Sequence, residues 1–197
     1  MNQEEIKRIF AQAGAIITDD HFVYAKKEDG WYHGSDYANK DAIYPFTRLV
    51  SPLCKEIADH FWGNDIDVVV GPTVGGVSLS QWTAHWLAPF PYQKEVLAVY
   101  ADEEDIFQEA VKTGTRRVLK RGYDKIVQGR RCLVVEDVIN TGLTVKKTVE
   151  AIEMVGGIVM GVGALANRSG GKVTAETLGA PELFSLLDLD MKMYKEE

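Results

Sequence analysis

The feature that most constrains the fold of this chain is the alternation of short apolar runs with segments of helical length from residue 45 onward. The apolar runs are rich in β-branched and aliphatic residues and occupy positions 66–70, 96–100, 132–135, 158–166 and 183–187. Three main helices are predicted in this part of the chain. The first is at 45–62, the second begins after the glycines that follow the first apolar run and continues through Leu87, and the third is at 145–155. Strands that are buried on both faces have continuous apolar sequences, so this pattern predicts an α/β fold with a parallel sheet flanked by helices.

The chain length favours a single domain. With 197 residues the chain can bury a core of its own, and no repeat or low-complexity linker divides residues 1–197. Residues 21–44 are aromatic-rich and contain turn glycines, which predicts a small irregular β element. An amphipathic helix is predicted before it from the spacing of Ile6, Ile9, Phe10, Ala13 and Ile17.

The charge balance excludes some classes of function. There are 29 acidic and 22 basic side chains, a net charge of −7, which argues against a protein that coats nucleic acid. No apolar run is long enough to cross a bilayer, and the first 20 residues lack a secretory pattern. We therefore expect a cytoplasmic protein with no membrane and no nucleic-acid partner, and its two cysteines, Cys54 and Cys132, are interpreted as buried apolar residues.

The most informative segment is 132–144, Cys-Leu-Val-Val-Glu-Asp-Val-Ile-Asn-Thr-Gly-Leu-Thr. An apolar strand leads to two adjacent carboxylates, then to a turn, and then to the start of a helix. The N–H groups and the dipole at a helix N-terminus attract phosphate. The turn adds a glycine, which permits close backbone approach, and two hydroxyl groups, which can donate hydrogen bonds: Thr141, Gly142 and Thr144.

The adjacent carboxylates, Glu136 and Asp137, are unsuited to binding phosphate because they would repel it. They are well suited to sugar hydroxyls and to a divalent cation. A phosphorylated sugar satisfies both the carboxylates and the turn, so the segment predicts a sugar-phosphate ligand. A second loop, at 71–76, also follows a strand and precedes a helix, and its glycines permit backbone N–H groups to surround an anion.

Segment 132–144 resembles the phosphoribosyl-pyrophosphate (PRPP) binding motif of type I phosphoribosyltransferases, and segment 71–76 resembles the pyrophosphate loop of that family. The resemblance implies a transferase of the type I fold, with a small hood contributed mainly by residues 1–45 and 167–197. It also implies a nucleobase-type second substrate, a homodimer, and Mg²⁺ held mainly through PRPP or pyrophosphate rather than by a side-chain metal site.

The resemblance assigns roles to individual residues. The ribose hydroxyls would be bound by Glu136 and Asp137, and Asp137 is also placed among the catalytic residues. The 5′-phosphate would be held by the turn residues Asn140, Thr141, Gly142, Leu143 and Thr144. The leaving pyrophosphate would be bound by Thr73, Val74, Gly75 and Gly76.

Within the family, the chain resembles the orotate phosphoribosyltransferases. The glutamate-first acid pair is similar, as are residues 22–24, 35–39, 164–168 and 182–187. Arg168 matches an arginine that binds the carboxylate of orotate in that family, and Asn140 stands where the family has a base-contacting threonine. The resemblance therefore implies transfer of phosphoribose to orotate, giving orotidine 5′-phosphate, with Asn140 and Arg168 at the base.

The flexible loop departs from the family pattern. The family has a cationic cluster with a histidine after the strand at 96–100, whereas this chain has the acidic residues 102–105. Basic residues follow later, and of these Lys120 and Arg121, before Gly122, are predicted to be catalytic. The basic stretch is also compatible with a solvated loop or an RNA-binding surface. Two alternative functions stay open: transfer to a purine or another base, and a non-catalytic PRPP-binding regulator.

Overall fold

The computed structural model describes residues 1–17, 21–23, 31–35, 37–88, 94–189 and 194–195. The strands are β1 (Ile16–Ile17), β2 (Phe22–Val23), β3 (Tyr32–Gly34), β4 (Tyr37–Ala38), β5 (Val68–Pro72), β6 (Leu97–Gln108), β7 (Val111–Val118), β8 (Arg131–Ile139), β9 (Ile158–Asn167), β10 (Leu183–Asp188) and β11 (Tyr194–Lys195). The helices are α1 (Gln3–Gln12), α2 (Thr47–His60), α3 (Gly75–Leu87), α4 (Tyr123–Val127), α5 (Leu143–Met154) and α6 (Ala175–Leu178). Tyr24 and Asp36, which belong to two of the segments that resemble orotate phosphoribosyltransferases, lie outside the described residues.

The central sheet has six strands in the order β10-β9-β8-β5-β6-β7. The first five are parallel to one another, and β7 is antiparallel to β6 at the edge. This arrangement confirms the predicted parallel sheet. Because β5, β8 and β9 run in the same direction, the loops that follow Pro72, Ile139 and Asn167 meet at one edge of the sheet, where ligands bind in folds of this class.

Helices cover both faces of the sheet, and each face has its own apolar core. One core contains residues of α1, α2 and α3, and the other contains residues of α4 and α5. Two glycines of β9 allow α2 and Phe61, the residue after it, to approach closely: a Cβ at Gly161 would lie 2.5 Å from Phe61, and one at Gly163 would lie 2.5 Å from Ile57. No helix in the described part of the chain is both long and apolar enough to cross a membrane.

The region after residue 100, matched from the sequence to the family's flexible loop, is a β-hairpin. Strand β6 extends to Gln108, and β7 pairs with it so that Glu103 faces Arg117 and Glu104 faces Arg116. Charged residues have low strand propensity, which explains why the apolar pattern predicted only the start of β6, at 96–100, and missed its extension and β7. Opposite charges directly across an antiparallel ladder stabilise the pairing.

Two small sheets lie outside the central one, β1-β4 and β11-β3-β2. The second sheet joins an N-terminal segment to a C-terminal one, since β11 pairs with β3. The N-terminal helix is shorter than predicted: it ends at Gln12, Gly14 has φ 64°, and Ile17 lies in β1. Residues 40–42 form a short 3₁₀ helix just before α2.

Candidate active site

The acid pair lies at the end of β8 and is almost completely buried, with Glu136 6% exposed and Asp137 2% exposed. The Asp137 carboxylate is held on both oxygens. Oδ1 accepts a hydrogen bond from the Val138 N–H at 2.6 Å. Oδ2 accepts one from the Tyr44 hydroxyl at 2.9 Å and lies 3.0 Å from Lys40 Nζ. The pair is therefore compensated by a cation and a phenol from the segment just before α2.

Lys40 and Tyr44 are functional candidates that sequence analysis missed, because nothing in their spacing connects them with a motif 93 residues later. Burial raises the pKa of the Tyr44 phenol, and Asp137 raises it further, so the phenol stays a donor. Burial alone would lower the pKa of Lys40, but Asp137 and Glu136 raise it above its ordinary value. Burial, together with the charge of Asp137, raises the pKa of Glu136.

The predicted pyrophosphate loop contacts the acid pair at Gly75. A Cβ at Gly75 would lie 1.8 Å from Asp137 Oδ2, and the Gly75 carbonyl oxygen is 3.0 Å from the Tyr44 hydroxyl. The loop is equally tight within itself, because a Cβ at Gly71 would lie 1.9 Å from the Gly76 carbonyl oxygen. These glycines are therefore needed for close approach of backbone to backbone and of backbone to carboxylate.

The predicted phosphate turn connects β8 to α5. Gly142, with φ 74°, is the residue before the helix, and the Thr141 hydroxyl accepts a hydrogen bond from the Leu143 N–H at 3.4 Å. The turn surrounds a small concavity of about 70 Å³, lined by Glu136 and residues 138–145. A helix of 12 residues begins here, so its first N–H groups and the positive end of its dipole face this concavity.

A larger cavity of about 480 Å³ opens beside the turn and contains both predicted base-binding residues, Asn140 and Arg168. The pairing of β8 with β9 brings them together, since the Arg168 N–H donates to the Ile139 carbonyl at 2.8 Å. Two further cations line the cavity, Lys146 of α5 and Lys172, and neither was predicted from the sequence. The lining residues include no acidic side chain, so the cavity is suited to an anionic ligand.

The predicted catalytic cations, Lys120 and Arg121, lie beside the β6–β7 hairpin and pair with its acidic residues. Lys120 Nζ is 3.1 Å from Glu104, and Arg121 binds Asp102. In this arrangement neither cation contacts the acid pair or the phosphate turn. The hairpin cation that does reach the site is Arg117, whose guanidinium donates hydrogen bonds to Thr73 of the pyrophosphate loop.

The described residues contain no group of three or more His, Cys, Asp and Glu side chains that could hold a metal ion. The carboxylates of the site are those of Glu136 and Asp137. Such a set fits Mg²⁺ that arrives already bound to phosphate groups, because Mg²⁺ commonly takes one or two carboxylates together with substrate phosphates.

Comparison with known proteins agrees with this geometry. Residues 39–177 match the family model described as "Phosphoribosyl transferase domain". The chain is 32% identical over 197 residues to an orotate phosphoribosyltransferase of Caldanaerobacter subterraneus, covering all of this chain and 90% of the relative. It is also 32% identical over 192 residues to an orotate phosphoribosyltransferase of Thermotoga maritima, covering 98% of this chain and 89% of the relative.

Solved structures show the same fold. The orotate phosphoribosyltransferase of Mycobacterium tuberculosis, in complex with Fe(III) dicitrate, superposes with a TM-score of 0.66 at 20% identity, over 95% of this chain and 96% of that one. The adenine phosphoribosyltransferase of Thermoanaerobacter pseudethanolicus superposes with a TM-score of 0.62 at 16% identity, over 95% of this chain and all of that one. With a family model that matches most of its length and relatives that align over nearly all of it, the chain belongs to the phosphoribosyltransferase family.

Proposed function

We propose that this chain transfers the 5-phosphoribosyl group of PRPP to orotate and releases pyrophosphate. The observation that carries the proposal is that one edge of the sheet unites the acid pair, the phosphate turn and the pyrophosphate loop, next to a cationic cavity lined by Asn140 and Arg168. The names of the curated relatives support orotate as the base.

The geometry supports a division of PRPP among three elements. The 5′-phosphate binds in the concavity of the Asn140–Thr144 turn, at the N-terminus of α5. Glu136 and Asp137 bind the ribose hydroxyls. The pyrophosphate binds along Thr73–Gly76, at the N-terminus of α3, a helix of 13 residues whose first N–H groups have no partner within the helix.

The reaction requires positioning rather than a protein nucleophile. A nitrogen of the base attacks the anomeric carbon as the bond to pyrophosphate breaks, through a transition state with oxocarbenium character. The base nitrogen's electron pair forms the new bond, the electron pair of the broken bond leaves on pyrophosphate, and the proton of that ring N–H is released to pyrophosphate or water. Fixing both reactants in line and stabilising the charge of the leaving group are the main contributions available to the protein.

The cationic cavity selects the base. Arg168 pairs with the carboxylate of orotate, and Asn140 can both donate to and accept from the polar edge of the ring. Lys146 and Lys172 add positive charge to the same cavity, which disfavours an uncharged purine relative to an anionic pyrimidine.

Mg²⁺ enters this proposal as a cation bound to PRPP, with Glu136 and Asp137 as the carboxylates able to contact it or its waters. When bound, it supplies charge neutralisation to the leaving pyrophosphate. Lys120 and Arg121 are proposed to act on the same group. They can do so only by exchanging Glu104 and Asp102 for pyrophosphate when the hairpin closes over the site.

The larger organisation is also proposed. Residues of about 1–45 and 167–197 form the hood of one domain, and the chain acts as a cytoplasmic homodimer. Trp82 and Trp86 lie four residues apart on α3, where both are half-buried, and we propose that they contribute to the dimer contact; Trp86 Nε1 donates to the Ser51 hydroxyl at 3.0 Å. Light scattering coupled to size exclusion tests the oligomeric state, and a monomeric mass would contradict the dimer.

The function is tested by PRPP-dependent nucleotide formation with orotate, uracil, adenine and hypoxanthine in the presence of Mg²⁺. We expect turnover with orotate and little with the other bases. Turnover of a purine in place of orotate would refute the choice of base. PRPP binding in calorimetry without turnover of any base would instead support the non-catalytic regulator.

A further inference from the structure

The pyrophosphate loop, Thr73–Gly76, contains no ionisable side chain, although its proposed ligand is a polyanion. The other basic residues of the β6–β7 hairpin region pair with acidic residues of β6: Lys112 with Asp105, Arg116 and Lys120 with Glu104, and Arg121 with Asp102. Of the basic residues that the structure describes in this hairpin region, Arg117 is the one in hydrogen-bond contact with the loop.

Arg117 is placed to supply positive charge to the loop. It alternates with Arg116 along β7, so that Arg116 is exposed and Arg117, only 8% exposed, points toward the sheet edge that carries the loop. Its Nη1 donates to the Thr73 carbonyl at 3.0 Å and to the Thr73 hydroxyl at 2.9 Å. The Thr73 N–H donates to Ala101 of the hairpin at 3.0 Å, so the first residue of the loop is held on three of its polar groups.

We propose that Arg117 is a positioning residue for pyrophosphate that acts through Thr73. This inference rests on the proposed phosphoribosyl transfer and identifies the protein cation that serves its leaving group. A hydroxyl that accepts from a guanidinium keeps its own proton free to donate, and the cation strengthens that donor toward an anion. Arg117 also turns the Thr73 carbonyl oxygen toward the hairpin, which removes a repulsive partial charge from the anion.

The charge of Arg117 is only partly compensated by the protein. Its Nη2 lies 3.4 Å from Glu103, a carboxylate that is 51% exposed, and its buried Nε has no hydrogen-bond partner among the described residues. A buried cation with an unmet donor is costly in the free protein, and a polyanion brought next to it offsets that cost. The same guanidinium therefore orders the loop and favours the negative charge that the loop receives.

The test compares Arg117→Met with Arg116→Met, an identical substitution at the neighbouring residue on the other face of β7. Calorimetry with Mg²⁺ measures binding of inorganic pyrophosphate and, separately, of orotidine 5′-phosphate, which lacks the pyrophosphate group. Arg117→Met should weaken pyrophosphate binding about 10- to 100-fold, the range for loss of a charged hydrogen bond, and leave nucleotide binding unchanged. Arg116→Met should change neither affinity, and Arg117→Lys should recover part of the loss because it restores the charge.

Unchanged pyrophosphate affinity in Arg117→Met, or equal weakening of both ligands, would overturn the inference, because a merely structural residue would not separate the two. If Arg117→Met does not fold, Arg117→Lys provides the same comparison between the two ligands. Failure of the wild-type chain to bind PRPP or pyrophosphate would refute the proposed function itself. If the wild-type chain binds PRPP and pyrophosphate and an Arg117 variant binds them with the same affinities, only the role of Arg117 is refuted.

Discussion

Replacing Lys40 with methionine tests whether the buried acid pair depends on its cation. Methionine keeps most of the volume of the side chain but removes the charge that lies 3.0 Å from Asp137 Oδ2. Asp137 is 2% exposed and its neighbour Glu136 is 6% exposed, so neither carboxylate can gain full hydration in exchange. The variant should therefore be less stable than the wild type.

The size of the effect follows from distance and exposure. Two unit charges 3.0 Å apart attract by roughly 5 to 6 kcal/mol at an effective dielectric constant of about 20. The Lys40 side chain is 45% exposed, so water screens it and offsets part of this attraction. The expected loss lies between those of exposed and buried pairs, at about 2 kcal/mol, which lowers the unfolding temperature of a domain of this size by about 4–8 °C.

Differential scanning calorimetry of the ligand-free protein measures this loss. Lys7→Met is the matched control, because Lys7 Nζ also lies 3.0 Å from a carboxylate, that of Glu4, but both side chains are well exposed. The control should cost less than about 1 kcal/mol. Equal unfolding temperatures for the two variants would refute the reasoning, since they would show that burial of Asp137 adds nothing to the strength of its ion pair.

Three further outcomes are expected. Burial and Asp137 raise the folded-state pKa of Glu136 above its ordinary 4.5. Between 4.5 and this raised pKa the folded state holds more protons than the unfolded state, so the unfolding temperature should fall as the pH rises through that window. Glu136→Gln should flatten this dependence on pH, and an unchanged slope in the variant would contradict the prediction. Asp137→Asn should weaken PRPP binding about 10- to 100-fold in calorimetry through loss of a charged hydrogen bond, and unchanged affinity would contradict its placement at the ribose. Gly75→Ala should abolish transferase activity, because its Cβ would lie 1.8 Å from Asp137 Oδ2. Gly114→Ala, which has open space around it, should leave the activity intact. An active Gly75→Ala variant together with an inactive Gly114→Ala variant would contradict the described loop geometry.

The sequence predicted the parallel part of the fold well, because burial on both faces requires apolar runs and these are visible without a structure. The resemblance to orotate phosphoribosyltransferases implied that Asn140 and Arg168 serve the same base, and both line one cavity. The β6–β7 hairpin could not be predicted in this way. Its strands are stabilised by charges on one strand facing charges on the other, and a pattern of residues along one strand does not contain that information.

The site residues that sequence analysis missed were missed for the same reason. Lys40 and Tyr44 reach Asp137 through the approach of separate chain segments, and Arg117 reaches Thr73 through the alternation of a strand that was not predicted. These contacts join residues that are far apart in sequence: Thr73 and Arg117 are separated by 44 residues, and Lys40 and Asp137 by 97. Local spacing identifies the backbone elements proposed to bind phosphate, but not the side chains that other segments bring to them.

The matched charges of the hairpin affect how quickly a substrate arrives. Residues 102–121 contain five acidic and five basic side chains, so this arm carries no net charge, and its field weakens rapidly with distance. A polyanion diffusing toward the protein is therefore guided mainly by the positive charge of the cavity, from Lys146, Arg168 and Lys172. The ionic-strength dependence of the association rate consequently reports on the cavity rim, and the hairpin contributes to binding only after contact.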